Sequence, residues 1–222
     1  MTQYLDFKDF FDMTKTDFGD IFDGVENPYD ILPLIGDYVL KKGPELGEGY
    51  TQIKENVWVG EGTKIAENAS ITGPVIIGKN CEIRHNAFIR GKAVIGNNSV
   101  IGNSTEVKNS FLFDNVQAPH FNYVGDAVMG FKSHIGAGVI LSNVRSIPGN
   151  VNIRIDGELI NTGLRKFSAI LGDHVEVGCN SVLNPGTIVG RESVIYPLSS
   201  ARGVIPEKHI LKNDGRKFKK RS

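Results

Sequence analysis

The chain has 222 residues, with 25 Lys+Arg balanced by 25 Asp+Glu. That length suits one or two domains with a substantial core, and overall neutrality gives no support to a nucleic-acid or membrane-surface partner. No apolar run reaches the roughly 18 residues a membrane span needs. The first residues lack the basic start and apolar stretch of a signal peptide, and the only two cysteines, Cys81 and Cys179, are too few for a disulfide framework. The expectation is a reduced, cytoplasmic compartment.

In residues 1–52, aromatics (Tyr4, Phe7, Phe10, Phe11, Phe18, Phe22) alternate with acids, and Asn27-Pro28 and Gly43-Pro44 punctuate the run. Residues 30–40 read as one amphipathic helix. The segment is expected to be a largely helical cap covering the exposed edge of the first coil. The alternative is a docking segment for another protein.

From Ile53 the chain steps in sixes through Ile53, Val59, Ile65, Ile71, Ile77, Ile83, Ile89, Ile95, Ile101, Val107 and Phe113. Four residues after most of these stands a small side chain, such as Cys81, Ala87, Ala93, Ser99 or Thr105. A period of six is neither helical nor a simple two-residue alternation. It predicts a parallel β-helix, each hexapeptide being one short strand and a corner, with three hexapeptides to a coil. Gly60, Gly78, Gly96 and Gly102 fall where a crowded corner favours a residue without Cβ. The register is expected to slip once, after Pro119, and to resume as Tyr123, Met129, Ile135 and Leu141. A later block runs Leu171, Val177, Leu183, Val189 and Ile195. Between the blocks, residues 152–161 alternate around Asp156-Gly157, a β-hairpin signature, inserted over about 150–163. The β-helix is assigned to 53–211, and 212–222 is a basic tail, solvated and disordered in the plain reading.

Arg84, Arg90, Lys108 and Asp114 occupy slots where a small residue is expected. Arg90 and Lys108 are 18 residues apart, so they should stand on adjacent coils of one side, where like charges repel. A bound phosphate would offset that repulsion; two solvated cations are the plainer alternative. His120 lies at the expected slip, where irregular backbone often marks a site and an imidazole can accept a proton at neutral pH. A structural hydrogen-bonder is the commoner role for such a histidine. Asn143 and Lys166 flank the hairpin. Three-histidine zinc sites occur in some β-helices of this kind, but after His85 and His120 the next histidine is His134, too distant to complete one. No metal is expected.

The run from His120 to Ala127, followed by Ile135-Gly136-Ala137-Gly138 and Asn143, resembles the acetyltransferase domain of the bifunctional glucosamine-1-phosphate acetyltransferase/N-acetylglucosamine-1-phosphate uridylyltransferase family. The resemblance covers about 53–211. It implies a left-handed β-helix, in which Arg90 and Lys108 match the family's phosphate-binding pair. It also implies His120 as general base, Tyr123 at the substrate, Asn143 near acceptor and acetyl group, and Lys166 as a second basic residue at the substrate. Cys179 falls on a serine near the acetyl-coenzyme A thioester, and Pro197 on the coenzyme corner. His134 and Val144 replace an asparagine and an aromatic residue, and nothing in 1–52 resembles the family's Gly-rich nucleotide loop. The implied activity is transfer of an acetyl group from acetyl-CoA to an amino-sugar phosphate, glucosamine-1-phosphate foremost, toward UDP-N-acetylglucosamine. The implied assembly is a homotrimer with shared sites. A non-catalytic sugar-phosphate or nucleotide-sugar binding module is the alternative. A purely structural β-helix would not need Arg90, Lys108 and His120 at the family's intervals.

Overall fold

The structure is a computed structural model that describes residues 5–155 and 157–221. Tyr4 of the aromatic run, Asp156 of the hairpin turn and Ser222 of the tail lie outside the described residues. The chain winds into a left-handed parallel β-helix with three ladders of nine, seven and nine strands. Face 1 begins with Val57–Gly60, Val75–Ile77 and Ala93–Ile95; face 2 with Lys64–Ile65, Glu82–Ile83 and Val100–Asn103; face 3 with Ser70–Thr72, Phe88–Arg90 and Glu106–Lys108. The expected aliphatics fill the prism: Ile77, Ile83, Ile89, Ile95, Ile101 and Val107 are at most 1% exposed. The small residues complete the interior, and their hydroxyls are satisfied by the next coil. Ser99 Oγ donates to the Phe113 carbonyl and Thr105 Oγ1 to the Ala118 carbonyl, which removes the cost of burying them.

The corners require left-handed backbone, and asparagine, which tolerates it, holds many of them, including Asn80, Asn86, Asn98 and Asn115. Coils also approach closely at the glycine column. A Cβ on Gly96 would come 2.5 Å from the carbonyl carbon of Phe113 on the next coil.

The register departs from expectation in a way that matters for the site. In the middle coils it slips twice rather than once, each time by one residue at a corner between faces 3 and 1, and the last coil is shorter by two at the same corner, Val189 being aligned with Ile205. Ile95 is aligned with Leu112 and Leu112 with Met129, spacings of 17. The slips fall at 108–110 and 125–127, not after Pro119. Leu112 and Val124 therefore point inward, while Phe113 and Tyr123 point out of the prism. Ile53 also stands outside the coil, in Tyr50–Lys54, which runs antiparallel to Val57–Gly60.

Face 1 carries apolar side chains on both surfaces, a pattern for a sheet covered on each side. Its outward residues Trp58, Ile76, Val94, Phe111 and Val128 form one buried cluster with Phe11, Phe18, Phe22, Ile31 and Ile35. Phe11 stacks on Phe113 at 4.8 Å and Phe22 meets Phe111 edge-on at 5.3 Å. The N-terminal segment thus lies along the flat of face 1 rather than over the first edge, because that is where the unpaired apolar area is. Each aromatic so buried contributes about 1.5–3 kcal/mol. Within the segment, the expected single helix is split into a 3-10 turn, Pro28–Ile31, and an α-helix, Ile35–Lys42. At each open end of the solenoid one edge strand is paired instead by an antiparallel strand: Tyr50–Lys54 against Val57–Gly60 at the start and Lys217–Lys219 against His209–Leu211 at the finish. The basic tail is therefore an edge guard rather than a loose end.

The hairpin forms as expected, Asn152–Ile155 against Glu158–Asn161. Among the described residues no helix is long and apolar enough to cross a membrane.

Candidate functional site

The site grows from the two shortened corners. At each, removing one residue from the hexapeptide tightens the turn, and Asn109 and Asp126 take left-handed backbone there (φ 42° and 53°). The corners stack, the Asp126 N–H donating to the Lys108 carbonyl at 3.1 Å. Asp126 is 4% exposed, and an isolated buried carboxylate would be costly. It gathers three donors: Lys108 Nζ at 2.9 Å, Asn109 Nδ2 at 2.8 Å, and Asn143 Nδ2. Asn143 Nδ2 also lies 3.1 Å from the Tyr123 hydroxyl. Tyr123 reaches it by lying along its own strand over Gly125, where a Cβ would come 2.5 Å from the tyrosine hydroxyl.

Arg90 and Lys108 do stand on adjacent coils of one side, since Ile89 is aligned with Val107. The anion inferred from their repulsion is not required. Each cation already faces a carboxylate, Arg90 Nε to Glu106 Oε1 at 2.6 Å and Lys108 to Asp126. The hydrogen bond and charge of Glu106 raise the Arg90 guanidinium above its ordinary pKa, with Tyr123 adding a smaller share. A cavity of about 450 Å³ opens at this corner, lined by Arg90, Lys92, Lys108 and Lys166 with Asn109 and Asp126; Leu32 and Pro33 of the N-terminal segment form one wall. Four cations stand here against Asp126 and the Glu106 paired with Arg90, an excess of positive charge that suits the cavity to an anion.

His120 stands elsewhere, at the corner between faces 2 and 3. Its imidazole is exposed, and among the described residues it makes no hydrogen bond to the Asp126 cluster. The same corner, followed upward, carries Gly136-Ala137-Gly138, then Cys179, then Pro197. Gly138 N–H donates to the His120 carbonyl, Asn180 N–H to that of Ala137, and Leu198 N–H to that of Cys179. Phe121 and Leu198 hold left-handed backbone there (φ 51° and 62°), which costs bulky residues on the order of 1 kcal/mol or more. Both are exposed, at 59% and 69%.

The structure therefore brings Arg90, Lys108, Tyr123, Asn143 and Lys166 to one corner and its face, and places His120, Cys179 and Pro197 on the neighbouring corner. Sequence reasoning missed Glu106, Lys92 and above all Asp126. The spacing of 17 between Val107, Val124 and Leu141 was the available signal. His134 Nδ1 lies 2.7 Å from Glu176 Oε2, and the described residues hold no group of three or more His, Cys, Asp or Glu arranged for a metal.

The family described as the GMPPB C-terminal domain matches residues 71–201, more than half of the chain. The chain belongs to this family. Similar proteins include the bifunctional protein GlmU of Picosynechococcus sp., 32% identical over 162 residues, which are 73% of this chain and 31% of GlmU. The bifunctional sugar-1-phosphate nucleotidylyltransferase/acetyltransferase of Sulfurisphaera tokodaii is 37% identical over 94 residues, 42% of this chain and 23% of that protein. The match thus spans under a third of the length of these relatives. Among solved structures, a point mutant of AntD, an N-acyltransferase from Bacillus cereus in complex with dTDP and coenzyme A, is similar at TM-score 0.47. It is 19% identical, over 78% of this chain and 91% of AntD.

Proposed function

We propose that this GMPPB C-terminal domain protein is an acyl-CoA-dependent N-acyltransferase that moves an acetyl group from acetyl-CoA to an amino-sugar phosphate, glucosamine-1-phosphate foremost. The observation that carries this reading is the convergence of Arg90, Lys108 and Lys166 on one cavity beside the Tyr123–Asn143–Asp126 hydrogen bonds. The cations take the phosphate. Asp126 holds the Asn143 amide and the Lys108 ammonium in place, and Tyr123 and Asn143 orient the sugar. His120 accepts the proton from the amine as its nitrogen attacks the thioester carbonyl; the carbon–sulfur bond then breaks and the coenzyme leaves as a thiol once protonated. Positioning of the two substrates supplies much of the acceleration.

His120, Cys179 and Pro197 occupy a different corner from the cations, so one chain by itself presents the parts of the site apart. A homotrimer, in which the His120 corner of one copy meets the cation corner of its neighbour, would bring them together; exposed Phe121, Ile140, Val182 and Leu198 suit such a contact. The exposed imidazole, which has no hydrogen-bond partner among the described residues, favours one rival: a sugar-phosphate-binding module without catalysis. Free-thiol release from acetyl-CoA with a panel of amino-sugar phosphates separates the two. Thiol release that requires the acceptor supports the transferase. Saturable acceptor binding without thiol release establishes the binding module.

A further inference from the structure

We propose a second binding site, for a nucleoside phosphate, beneath the inserted hairpin. A cavity of about 440 Å³ opens on the same edge as the cation corner but on higher coils. Among the described residues its lining includes Arg145 and Arg202 and no carboxylate. This sets the two arginines apart from Arg84, Arg90, Arg191 and Arg216, each of which is paired with an acid. Neither Arg145 nor Arg202 meets a carboxylate among the described residues. Each is instead steadied by one neutral acceptor: Arg145 Nη1 donates to the Asn150 carbonyl at 2.7 Å and Arg202 Nη2 to Asn184 Oδ1 at 3.2 Å. Asn184 is itself tied down, its Nδ2 donating to the Ala201 carbonyl at 2.8 Å. The remaining guanidinium donors are left for a ligand.

Two guanidinium groups without acids form a site for phosphate oxygens. The other feature of the cavity is apolar: Val144, Ile147 and Leu159 line it and are 46%, 71% and 60% exposed. Phosphate alone leaves that surface wet, whereas a ligand joining phosphates to a flat ring uses both halves. That is the chemistry of a nucleotide. The 30-residue step from Leu141 to Leu171, where the same corner of the other coils takes 4 to 6, builds the cavity: it supplies Arg145, the apolar wall and Asn152. Asn143 lies between Ser142 and Val144 of this lining and bonds Asp126 of the cation corner, so one side chain links the surroundings of the two cavities.

Two sources carry this chemistry, a free nucleotide and the nucleotide end of coenzyme A. The proposal does not rest on the acyl-transfer reading. Calorimetric titration of the full chain with UDP, 3′,5′-ADP, coenzyme A and inorganic pyrophosphate tests it. At least one nucleotide should bind with Kd of about 1 mM or tighter. Arg145→Gln and Arg202→Gln should each weaken it about tenfold or more, the loss of a charge-assisted hydrogen bond. Leu159→Ser should weaken the nucleotide and leave pyrophosphate unchanged. Displacement of UDP by coenzyme A identifies the coenzyme as the source, and UDP binding that coenzyme A does not disturb identifies a free nucleotide. The proposal is overturned if no nucleotide binds, if both arginine variants bind as wild type, or if the loss follows Arg90→Gln instead.

Discussion

Replacing Asp126 with asparagine tests the centre of the site most directly. The substitution keeps the side chain's shape and one carbonyl oxygen, so the corner can still form; the bonds from the Ser168 hydroxyl and N–H to the Asp126 carbonyl are untouched. What changes is that one acceptor becomes a donor pair and the negative charge disappears. Lys108, whose side chain is only 15% exposed, then faces an amide, and either its ammonium or the Asn143 amide loses its acceptor. Breaking a buried ion pair by removing one partner costs about 3–5 kcal/mol, a large share of the roughly 5–15 kcal/mol available to a folded domain. Urea unfolding at 25 °C should show a loss of that order. Lys108 should then seek another anion. Inorganic phosphate, bound by the folded chain alone, stabilises in proportion to its affinity, and it should recover more stability in Asp126→Asn than in wild type. A loss under about 0.5 kcal/mol, the range of ordinary surface changes, together with equal phosphate stabilisation of both proteins, would refute the view that Asp126 compensates Lys108.

Three further outcomes follow from the same geometry. His120→Ala should reduce acetyl transfer by about 10²–10⁴-fold at an unchanged melting temperature, because the imidazole is exposed; retention of half the rate would assign the base elsewhere. Gly125→Ala should drive the Tyr123 hydroxyl off Asn143 and cost about 1–3 kcal/mol of stability; its KM for the acceptor should rise, and wild-type acceptor kinetics would show that Tyr123 does not hold the sugar. Burial raises the Asp114 carboxyl above its ordinary pKa, so its contribution to stability is complete below the unfolded-state value and declines as pH rises through the folded value. Asp114→Asn, which keeps an oxygen for the Asn97 N–H, should therefore melt higher than wild type at neutral pH. That gain should vanish by about pH 3; a gain independent of pH would show that ionisation is not its cause.

Much of the architecture is legible in the residues alone. The period of six, the small residue four places on and the crowded-corner glycines follow from the narrow prism, so they had to be written in the sequence. The hairpin is legible from its alternation around Asp-Gly. Register is legible only where the period holds. Phe113 and Tyr123 keep the apolar count alive across corners that have each lost a residue, so the period points to a slip at the wrong place and passes over Asp126. The helix expected over 30–40 is broken because the segment bends to lay Tyr29, Ile31 and Ile35 against the same sheet, and packing outweighs local propensity.

The sequence by itself determined the coil, because a short-range repeat needs only neighbouring residues to declare which side chains face the axis. It also marked Arg90, Lys108, His120, Tyr123, Asn143 and Lys166, since a family resemblance is read position by position. Tertiary structure alone decided what the N-terminal aromatics cover, how the ends are guarded, and which acid answers which cation. Those choices depend on contacts between residues far apart in the chain, such as Phe11 with Phe113 or Asn143 with Asp126. The free energy of such a contact depends on what each group would otherwise face, water or an unpaired charge, and that is set only once the coils are stacked.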